Sequence, residues 1–500
     1  MNSQAPRMIQ ELPNRTKIVA TVGPACSDLE TLTKLIESGV SVFRLNFSHG
    51  DLETQAKRVS LIREAATLVD RPIALMGDLQ GPKIRVGQVP SPGLEVRKGT
   101  NVIFHRESLD AHADGDVCHL SCTYQGLVDD VLPGQRLLVN DGAVRMLILE
   151  KRSDEIECSV TTGGLITTGK GINLPESDLN VEVLGTRDWS HVDWAIEQEL
   201  DGLAMSFVRR AEDIIELDEG IKSRLASRGG KMSRLPIVAK IELPKAVENI
   251  VSILKVADAI MVARGDLGVE LDLARVPIVQ KQLLQTAHDY GRPVIVATQM
   301  LETMIHAPIP TRAEATDVAC AIVDETDATM LSGETAVGEY PVLAVETMRR
   351  ITQHTEEYLE QHPAPETPPL YLPESDFWTA ALAHGVWTIA TDIQAKFIIV
   401  WTRKGHGARF LSQNTFHVPI IAATPEAHVA RQLQFFRGVI PIHCAEEPDS
   451  LGDLARWIDD WLIEKGWAQE GDSSVLVTGG SIGRDTTPNR LAIHAIGQSH

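Results

Sequence analysis

The chain has 500 residues, of which 43% are hydrophobic and 23% charged, and 68 acidic against 47 basic residues give a formal net charge of -21. At roughly 150 residues per domain this length predicts about three domains. The negative charge argues against nucleic acid and acidic membranes as partners, because those polyanions require a basic surface. Since no apolar run reaches the ~18 residues of a membrane span and the N-terminus lacks a signal-peptide core, we expect a cytoplasmic protein with no membrane partner.

Short β-branched runs alternate with amphipathic, helix-like segments along the first two thirds of the chain. Three such runs precede an interruption, namely TKIVATVG, SVFRLNFS and PIALMGDLQ. Five follow it, namely LDGLAMSFV, LPIVAKIEL, ADAIMVARGDLG, RPVIVATQM and DATMLSGET. Eight strands, each followed by a helix, predict a closed (β/α)8 TIM barrel built from residues 1–82 and 181–362.

The interruption, residues 83–180, has a different pattern of short alternating runs separated by turn formers such as Asn140-Asp141-Gly142. This pattern predicts a small all-β domain, and its departure after the third strand would make it a lid over the C-terminal face of the barrel. Residues 363–374 are rich in proline and predict a linker. Residues 375–500 return to alternating strands and helices, which predicts an open α/β domain.

Polar side chains gather at the C-terminal ends of the predicted barrel strands, where active sites of this fold lie. Arg44, Asn46 and Ser48 are spaced two apart, so an extended strand directs them to one face, as it does Lys240 and Glu242. Further strands end at Asp78, Asp266, Thr298 and the pair Ser332 and Glu334. One such residue alone is more often a solvated cap or an ion pair, but agreement between six strands predicts a site.

The residue types at this face indicate phosphoryl or enolate chemistry. Glu242 and Asp266 are hard oxygen ligands suited to Mg²⁺ or Mn²⁺, a metal that keeps positions open for water and a phosphorylated substrate. Lys240 beside such a metal suits charge that develops on a transferring phosphoryl group or on an enolate oxygen.

The motifs in this sequence resemble those of pyruvate kinases and follow the order of that family. They are TKIVATVGPA, RLNFSHG, DLQGPKIR, KGINLP, KIE, MVARGDLGVE, ATQM, PTRAE and MLSGETA. The resemblance implies phosphoryl transfer from phosphoenolpyruvate to ADP, giving pyruvate and ATP. It also implies a Mg²⁺ (or Mn²⁺) cofactor, a regulatory C-terminal domain and a homotetramer.

The resemblance further implies a role for each matched residue. The catalytic positions correspond to Lys240, Arg44 and Thr298, and the ligands of the divalent metal to Glu242 and Asp266. Substrate binding corresponds to Arg44, Lys240, Gly265, Asp266 and Thr298, with the Gly265 amide and the Thr298 hydroxyl at the carboxylate end. The contacts to ADP or ATP correspond to Asn46, His49, Arg85 and Lys170. The proton donor to the enolate stays open.

The monovalent-cation pocket departs from that of members that require K⁺. The pocket corresponds to Asn46, Ser48, Asp78 and Leu79, and the chain carries Lys83 where K⁺-dependent members carry Glu. The resemblance therefore implies the branch that does not require K⁺, because a tethered ammonium supplies the positive charge itself.

A phosphorylated allosteric effector is expected in the C-terminal domain, where regulated members have a Ser/Thr-rich phosphate-binding loop. The matching residues are Thr402, Lys404, Gly405, His406 and Gly407, with Arg484 on a second, glycine-rich loop. Because Lys404, His406 and Gly407 replace the Ser, Arg and Ser of that loop, a monophosphate or nucleotide is at least as compatible as fructose 1,6-bisphosphate.

Two other functions fit part of the sequence. One is a Mg²⁺-dependent lyase or mutase acting on phosphoenolpyruvate or the pyruvate enolate, which would leave the inserted domain, Arg85 and Lys170 unexplained. The other is a non-catalytic homologue that binds an effector, against which the intact Lys240, Glu242 and Asp266 argue. Formation of pyruvate from phosphoenolpyruvate and ADP separates the three.

Overall fold

The computed structural model describes residues 12–228, 232, 234–362, 369–372, 377–414, 417–448, 450–478 and 490–498. The first elements are β1 (Lys17–Thr21), α1 (Leu29–Glu37), β2 (Val40–Asn46), α2 (Leu52–Leu68) and β3 (Ala74–Leu79). Asp28 and Asp51 precede the two helices, and each carboxylate accepts a hydrogen bond from a backbone amide of the first turn. These side chains fix where the helices begin, because the first amides of a helix have no partner within it.

The inserted segment forms short strands with a core of their own. Its elements are β4 (Leu94–Val96), β5 (Asn101–His105), β6 (His112–Asp114), β7 (Val117–Ser121), α3 (Leu127–Asp130), β8 (Arg136–Val139), β9 (Val144–Lys151), β10 (Glu155–Thr162), β11 (Gly164–Ile166) and β12 (Ile172–Asn173). Seven of these strands form one sheet and β4 pairs with β11. Burial alternates along β5, as expected for a strand with one face in a core, and Val102 and Phe104 lie there.

The chain then resumes the alternation of helix and strand. The elements are α4 (Thr186–Glu197), β13 (Gly202–Met205), α5 (Ala211–Arg228), β14 (Ile237–Ile241), α6 (Pro244–Glu248), α7 (Ile250–Val256), β15 (Ala259–Ala263), α8 (Arg264–Glu270), α9 (Val276–Asp289), β16 (Val294–Ala297), α10 (Arg312–Val323), β17 (Ala328–Leu331), α11 (Gly333–Ala336) and α12 (Pro341–Gln361).

Strands β1 to β3 and β13 to β17 close into one barrel. Its pairings are parallel, and the barrel closes where Lys17 of β1 pairs with Ala328 of β17. Strand β3 pairs directly with β13 across the insertion, with Met76 opposite Gly202. All residues of β1, β14 and β15 are buried, which fits apolar strands covered on both faces. The predicted TIM barrel is confirmed.

The last part of the described chain forms an open α/β sheet, as predicted. Its elements are α13 (Phe377–Asp392), β18 (Phe397–Trp401), α14 (His406–Ser412), β19 (Ile420–Thr424), α15 (Ala427–Gln432), β20 (Val439–His443), α16 (Leu451–Glu464), β21 (Ser473–Thr478) and β22 (Arg490–Ala495). The strand order is β20-β19-β18-β21-β22, with β22 antiparallel to its neighbour. Apolar clusters cover both faces of this sheet.

A buried carboxylate joins this sheet unit to the base of the barrel. Asp201 is fully buried and accepts hydrogen bonds from Arg63 Nη2 at 2.9 Å and Arg431 Nε at 2.7 Å. Since Arg63 lies on α2 and Arg431 on α15, one side chain connects the two units.

The residue limits of the three units stay predictions. Of the predicted linker, residues 369–372 are described, and Arg484 lies outside the described residues. Within the described parts of the chain, every helix is too short or too polar to cross a membrane.

Candidate active site

Lys240 lies at the centre of a polar cluster at the C-terminal end of the barrel. It lies near the end of β14, is 9% exposed, and places Nζ 2.7 Å from Ser206 Oγ, 2.8 Å from Glu242 Oε1 and 3.4 Å from Asp78 Oδ1. Burial acts to lower the pKa of Lys240, but the carboxylates of Asp78 and Glu242 outweigh it and raise the pKa above its usual value. The charged form of Lys240 is therefore favoured, and its ammonium is held between Asp78, Ser206 and Glu242.

Arg44 and Asp78 form a second ion pair beside this lysine. Arg44 Nε lies 2.6 Å from Asp78 Oδ2, and Arg44 Nη1 donates to Thr21 Oγ1 at 3.1 Å. Burial acts to raise the pKa of Asp78, but Lys240 and Arg44 outweigh it and hold the pKa below its ordinary range. One buried carboxylate thus positions both cations that the sequence assigned to the phosphoryl group.

Glu242 and Asp266 lie on adjacent strand ends and influence each other electrostatically. Glu242 Oε2 accepts a hydrogen bond from the Phe207 amide at 2.8 Å, while Asp266 lies in the first turn of α8, just beyond β15. Burial and the neighbouring Glu242 carboxylate raise the pKa of Asp266 to about 6. The rise reflects first a carboxylate shielded from water and then the second negative charge beside it.

This pair of carboxylates fits a hard divalent cation. Glu242 and Asp266 supply two oxygen ligands, and Mg²⁺ is usually held by one or two carboxylates plus water and substrate phosphate. Among the described residues, no group of three or more His, Cys, Asp or Glu side chains is arranged to hold a metal. The donor set matches a metal whose remaining ligands come from substrate and water.

Thr298 adopts a backbone conformation that is unusual for a β-branched residue. Its φ is 67° and that of Gln299 is 54°, in the left-handed region. Thr298 Oγ1 accepts a hydrogen bond from the Gly265 amide at 2.7 Å, and Arg264 donates to the carbonyl oxygens of Thr298 and Gln299 at 2.8 and 3.1 Å. The two residues assigned to the substrate carboxylate therefore contact each other directly.

The residues assigned to the nucleotide form two groups. Asn46 Oδ1 accepts from the Ser48 amide at 3.0 Å in the loop after β2, where Ser48 and His49 are exposed. Arg85 pairs with Gly171 in an isolated bridge at the root of the insertion and donates from Nη1 to the Gly169 carbonyl at 3.0 Å. Lys170 lies between those two glycines and is half-buried, so Arg85 and Lys170 are brought together.

Lys83 lies in a cleft of about 550 Å³ between the insertion and the barrel, whose lining includes Asp141 and Asp266. Its side chain is exposed, and its charge acts on Asp266. Asp78 forms ion pairs with Arg44 and Lys240 and accepts a hydrogen bond from Ser206. Lys83 therefore lies on the side of the cleft that carries Asp266.

A contact between insertion and barrel lines the same cleft. Asn173 Nδ2 of β12 donates to Glu270 Oε1 of α8 at 2.7 Å. Burial raises the pKa of Glu270 to about 7, and the Asp266 carboxylate adds to the rise. The insertion is thus held against the helix that carries Asp266.

Three positions with a clear place in this site were missed by sequence reasoning. Ser206 follows the fourth strand directly and contacts Lys240, so the strand-end rule applied to β13 would have found it. Phe207, at φ 57°, supplies the amide to Glu242, and Arg264 holds the Thr298 turn. Their roles depend on left-handed turns that carry no glycine, so no residue type marks these turns in the sequence.

Glu334, grouped with the strand-end residues, has a structural role instead. Its carboxylate is buried and accepts hydrogen bonds from the amides of Leu301 and Ser332 at 3.0 and 2.7 Å. It therefore shapes the loops that follow β16 and β17.

The loop assigned to an effector connects β18 to α14, far along the chain from the barrel site. Thr402 is buried and its Oγ1 accepts from the Gly405 amide at 3.0 Å, while Gly405 has φ 81° and Gly407 is buried. Lys404 and His406 are exposed and line a cavity shared with the base of the barrel.

Comparison with known protein families finds a match for most of the chain. Residues 13–345 match the family described as "Pyruvate kinase, barrel domain" and residues 380–494 match "Pyruvate kinase, alpha/beta domain". The chain belongs to the pyruvate kinase family. The function predicted from the sequence, that of a pyruvate kinase, is thereby confirmed, as is the fold.

Individual relatives are similar over their full length. A pyruvate kinase of Thermococcus litoralis is 37% identical over 97% of this chain and 100% of its own, and one of Thermotoga maritima is 36% identical over 96% and 99%. A crystal structure of a pyruvate kinase from Cryptosporidium parvum superposes with a TM-score of 0.87, at 33% identity, over 97% of this chain and 96% of its own.

Proposed function

We propose that the chain transfers the phosphoryl group of phosphoenolpyruvate to ADP at the cluster around Lys240. The observation that carries this proposal is the Lys240 ammonium, fixed within 3.4 Å of Asp78, Glu242 and Ser206 and next to a pair of carboxylates suited to Mg²⁺ or Mn²⁺. Arg44, Lys240, Glu242, Asp266 and Thr298 are assigned the catalytic, substrate and metal roles that the sequence resemblance implies.

Charge explains how an acidic cluster accepts an anionic substrate. Arg44 and Lys240 carry two positive charges against the three carboxylates of Asp78, Glu242 and Asp266. A divalent ion held by Glu242 and Asp266 would supply positive charge for the phosphate and carboxylate groups of the substrate. We therefore expect the metal to bind before, or together with, phosphoenolpyruvate.

The chain's own residues orient the substrates and offset developing charge. Gly265 and Thr298 are proposed to hold the substrate carboxylate, so the hydrogen bond between them would be exchanged or shared on binding. An oxygen of the ADP β-phosphate then attacks in line, while Lys240 and Arg44 stabilise the charge on the phosphoryl oxygens. Lys240 also lies where it can stabilise the enolate oxygen that results.

The nucleotide is assigned to Asn46, His49, Arg85 and Lys170. The last two lie at the root of the insertion, so a lid movement would carry them with it. A closed lid would exclude water, which would otherwise accept the phosphoryl group.

Further properties are proposed from the sequence resemblance. They are independence from K⁺ through Lys83, a phosphorylated allosteric effector at the loop containing Thr402, Lys404, Gly405, His406 and Gly407, assembly as a homotetramer, and a cytoplasmic location. The residue ranges of the lid domain (83–180) and of the regulatory domain (375–500) are proposals as well.

The test is a coupled assay for pyruvate formed from phosphoenolpyruvate in the presence and absence of ADP. We expect turnover that depends on ADP and on Mg²⁺ or Mn²⁺, and Lys240→Met should abolish it while binding of Mn²⁺, followed by electron paramagnetic resonance, persists. Lys281→Met, on the exposed side of α9, is the control and should retain activity. Consumption of phosphoenolpyruvate without ADP would instead support a lyase or mutase, and no turnover at all would support a non-catalytic homologue.

A further inference from the structure

Three histidines lie side by side on the larger sheet of the insertion, away from the Lys240 site. They are His105 on β5, His112 on β6 and His119 on β7, and we call them the histidine cluster. The rings of His112 and His119 stack with their centroids 4.8 Å apart, and those of His105 and His119 with their centroids 5.1 Å apart. Because the three titratable rings are in mutual contact, the charge on one ring affects the protonation of the others.

A hydrogen bond within the cluster requires a neutral imidazole. His105 Nε2 lies 2.8 Å from His119 Nδ1, so one of these nitrogens carries the hydrogen and the other accepts it through a lone pair. If both rings were protonated, both nitrogens would carry a hydrogen and the bond could not form. The pair can therefore take up one proton and keep this contact, but it cannot keep the contact after a second.

The carboxylates around the cluster offset its charge only in part. Glu155 of β10 pairs opposite His105, with Oε2 3.5 Å from Nδ1 of the ring. The same carboxylate lies 2.6 Å from Arg152 Nη1, and Glu157, next along this face of β10, lies 3.1 Å from Arg152 Nη2. Asp114 of β6 lies two residues beyond the ring of that strand and is exposed. One arginine thus competes with the cluster for both carboxylates of β10.

The remaining neighbours on this face carry no charge. Side chains alternate between the two faces of a strand, so Asn101 and Ile103 of β5 and Val117 of β7 lie on the side of the histidine cluster. His112 Nδ1 lies 3.2 Å from the Asp110 carbonyl oxygen, which can accept a hydrogen bond but adds no full charge. These neighbours do not compensate a cluster that carries several protons.

The pKa of His105 reflects the balance of these contacts. Burial lowers this pKa below the ordinary value of 6.5, Glu155 acts to raise it, and the charges of His119 and His112 lower it further. As pH falls through 6.5, the unfolded chain therefore holds more protons on His105 than the folded insertion does. The folded arrangement loses stability in acid and has its full stability above that pH.

Strand β6 is the element of this sheet that is held most weakly. It has three residues, all of them exposed, and it lies at the edge of the sheet, where β7 is its partner. The pairing places His112 directly opposite His119, a position at which side-chain contacts stabilise a sheet and like charges destabilise it. A short edge strand of this kind opens at a lower free energy than strands inside a sheet.

We propose that the histidine cluster is a pH-sensitive switch that holds β6 on the sheet of the insertion near neutral pH and releases it in mild acid. With the cluster mostly neutral, the His105–His119 hydrogen bond and the His112–His119 stack are both in place. Further protonation breaks the hydrogen bond and sets like charges opposite each other across β6 and β7.

The segments on either side of β6 and β7 lead to the root of the insertion. Ala111, directly before β6, donates from its amide to the Gln88 carbonyl at 2.8 Å. Thr123, two residues after β7, donates from its amide to the Arg85 carbonyl at 2.9 Å, and its Oγ1 accepts from the Arg85 amide at 3.0 Å. Since Arg85 is assigned to the nucleotide, release of β6 should weaken ADP binding, a step that rests on the proposed function.

The switch is tested by hydrogen–deuterium exchange and mass spectrometry on the full chain without phosphoenolpyruvate or ADP. Labelling is carried out between about pH 5.5 and 7.5, the range in which histidine changes charge, with labelling times scaled for the intrinsic pH dependence of amide exchange. We expect peptides covering residues 109–119 to exchange about tenfold faster at the lower pH after this scaling. Peptides of the β9–β10 hairpin, residues 144–162, are the internal reference and should not change.

Substitutions that remove the titrating groups localise the effect. The double variant His105→Gln and His119→Asn places uncharged amides near the two bonded nitrogens, and its exchange should differ less than about twofold across the pH range. His112→Phe keeps a stacked ring without a charge, so it should show a smaller pH response than the wild type, and it keeps the test valid if the double variant fails to fold. His306→Gln, on the barrel, is the matched control and should respond like the wild type, because His306 is exposed and paired with Glu339.

The possible results separate the two steps. Wild-type exchange that is equal at both pH values, or a full response in the double variant, overturns the switch. The KM for ADP, taken as the ratio of wild type to double variant, should rise several-fold as pH falls. A constant ratio together with a pH-dependent exchange overturns the connection to Arg85, and absence of turnover with an intact exchange response refutes the proposed reaction and leaves the switch standing.

Discussion

Arg264 and Thr298 are joined by two hydrogen bonds, from the Nε and Nη2 atoms of the guanidinium to the one carbonyl oxygen, at 3.2 and 2.8 Å. The arginine thereby holds a threonine in the left-handed conformation at φ 67°. A β-branched residue remains in this strained region only when its surroundings enforce it. Arg264 is thus a positioning residue for the hydroxyl that faces the Gly265 amide.

Arg264→Met should lower kcat on the order of 100-fold, because a misplacement of about 1 Å in a catalytic group has an effect of this size. Steady-state kinetics with phosphoenolpyruvate and ADP measure it, and circular dichroism verifies the fold. Asp317→Asn is the matched control, since Asp317 contacts the same guanidinium at 2.6 Å and is 40% exposed. An equal loss in both variants would contradict a role through the Thr298 turn.

Lys83→Glu should make the enzyme dependent on K⁺. We expect the wild type to differ less than about twofold between buffers with KCl and with a tetramethylammonium salt, because the tethered ammonium supplies the charge. The variant should lose activity without K⁺ and recover with it. Lys245→Glu, an exposed cation of the same cleft, is the control. A wild type that needs K⁺ would refute the assignment of Lys83.

Asn173→Ala should raise the KM for ADP about tenfold and leave metal binding unchanged. The Asn173 amide donates to Glu270 Oε1 at 2.7 Å, and a hydrogen bond to a carboxylate contributes about 1.5 to 3 kcal/mol. Without it the insertion is held less firmly against the barrel, so its cleavage by trypsin should also become faster. Asn101→Ala, within the sheet of the insertion, is the control, and an equal change there would argue against the contact.

The pKa of Lys17 predicts a pH-dependent stability. Burial first, and then Arg71, lowers this pKa to about 7, whereas in the unfolded chain the pKa is the ordinary lysine value of 10.5. Between these pH values the unfolded chain holds more protons on Lys17, so the free energy of unfolding rises with pH. From pH 7 to 9 this gain is on the order of 2 kcal/mol.

Lys17→Met removes that titration. The difference in melting temperature between wild type and variant should shift in favour of the wild type as pH rises from 7 to 9, as measured by scanning calorimetry. The variant also loses the hydrogen bond from Nζ to the Val439 carbonyl, which lowers its stability at every pH without changing the slope. Parallel stability profiles for the two proteins would contradict the lowered pKa.

The barrel architecture could be predicted from the sequence because buried parallel strands are nearly continuous apolar runs. In β14 the charged Lys240 interrupts such a run, and its position near the strand end predicted its place in the site. Contacts that depend on the turns between helices and strands could not be predicted from the sequence. The left-handed Phe207 and Thr298 have no glycine to mark them, and the ion pair of Arg409 with Asp258 joins residues far apart in the chain.

The pairing of β3 with β13 across the insertion has a consequence for how the chain folds during synthesis. Met76 of β3 can pair with Gly202 only after Gly202 has been synthesised. Every strand of the insertion is synthesised before that. Because the insertion has its own apolar core, it can fold on the ribosome while the barrel is still an open set of three strands. The outer edges of the first three barrel strands therefore stay unpaired until β13 and β17 have been made.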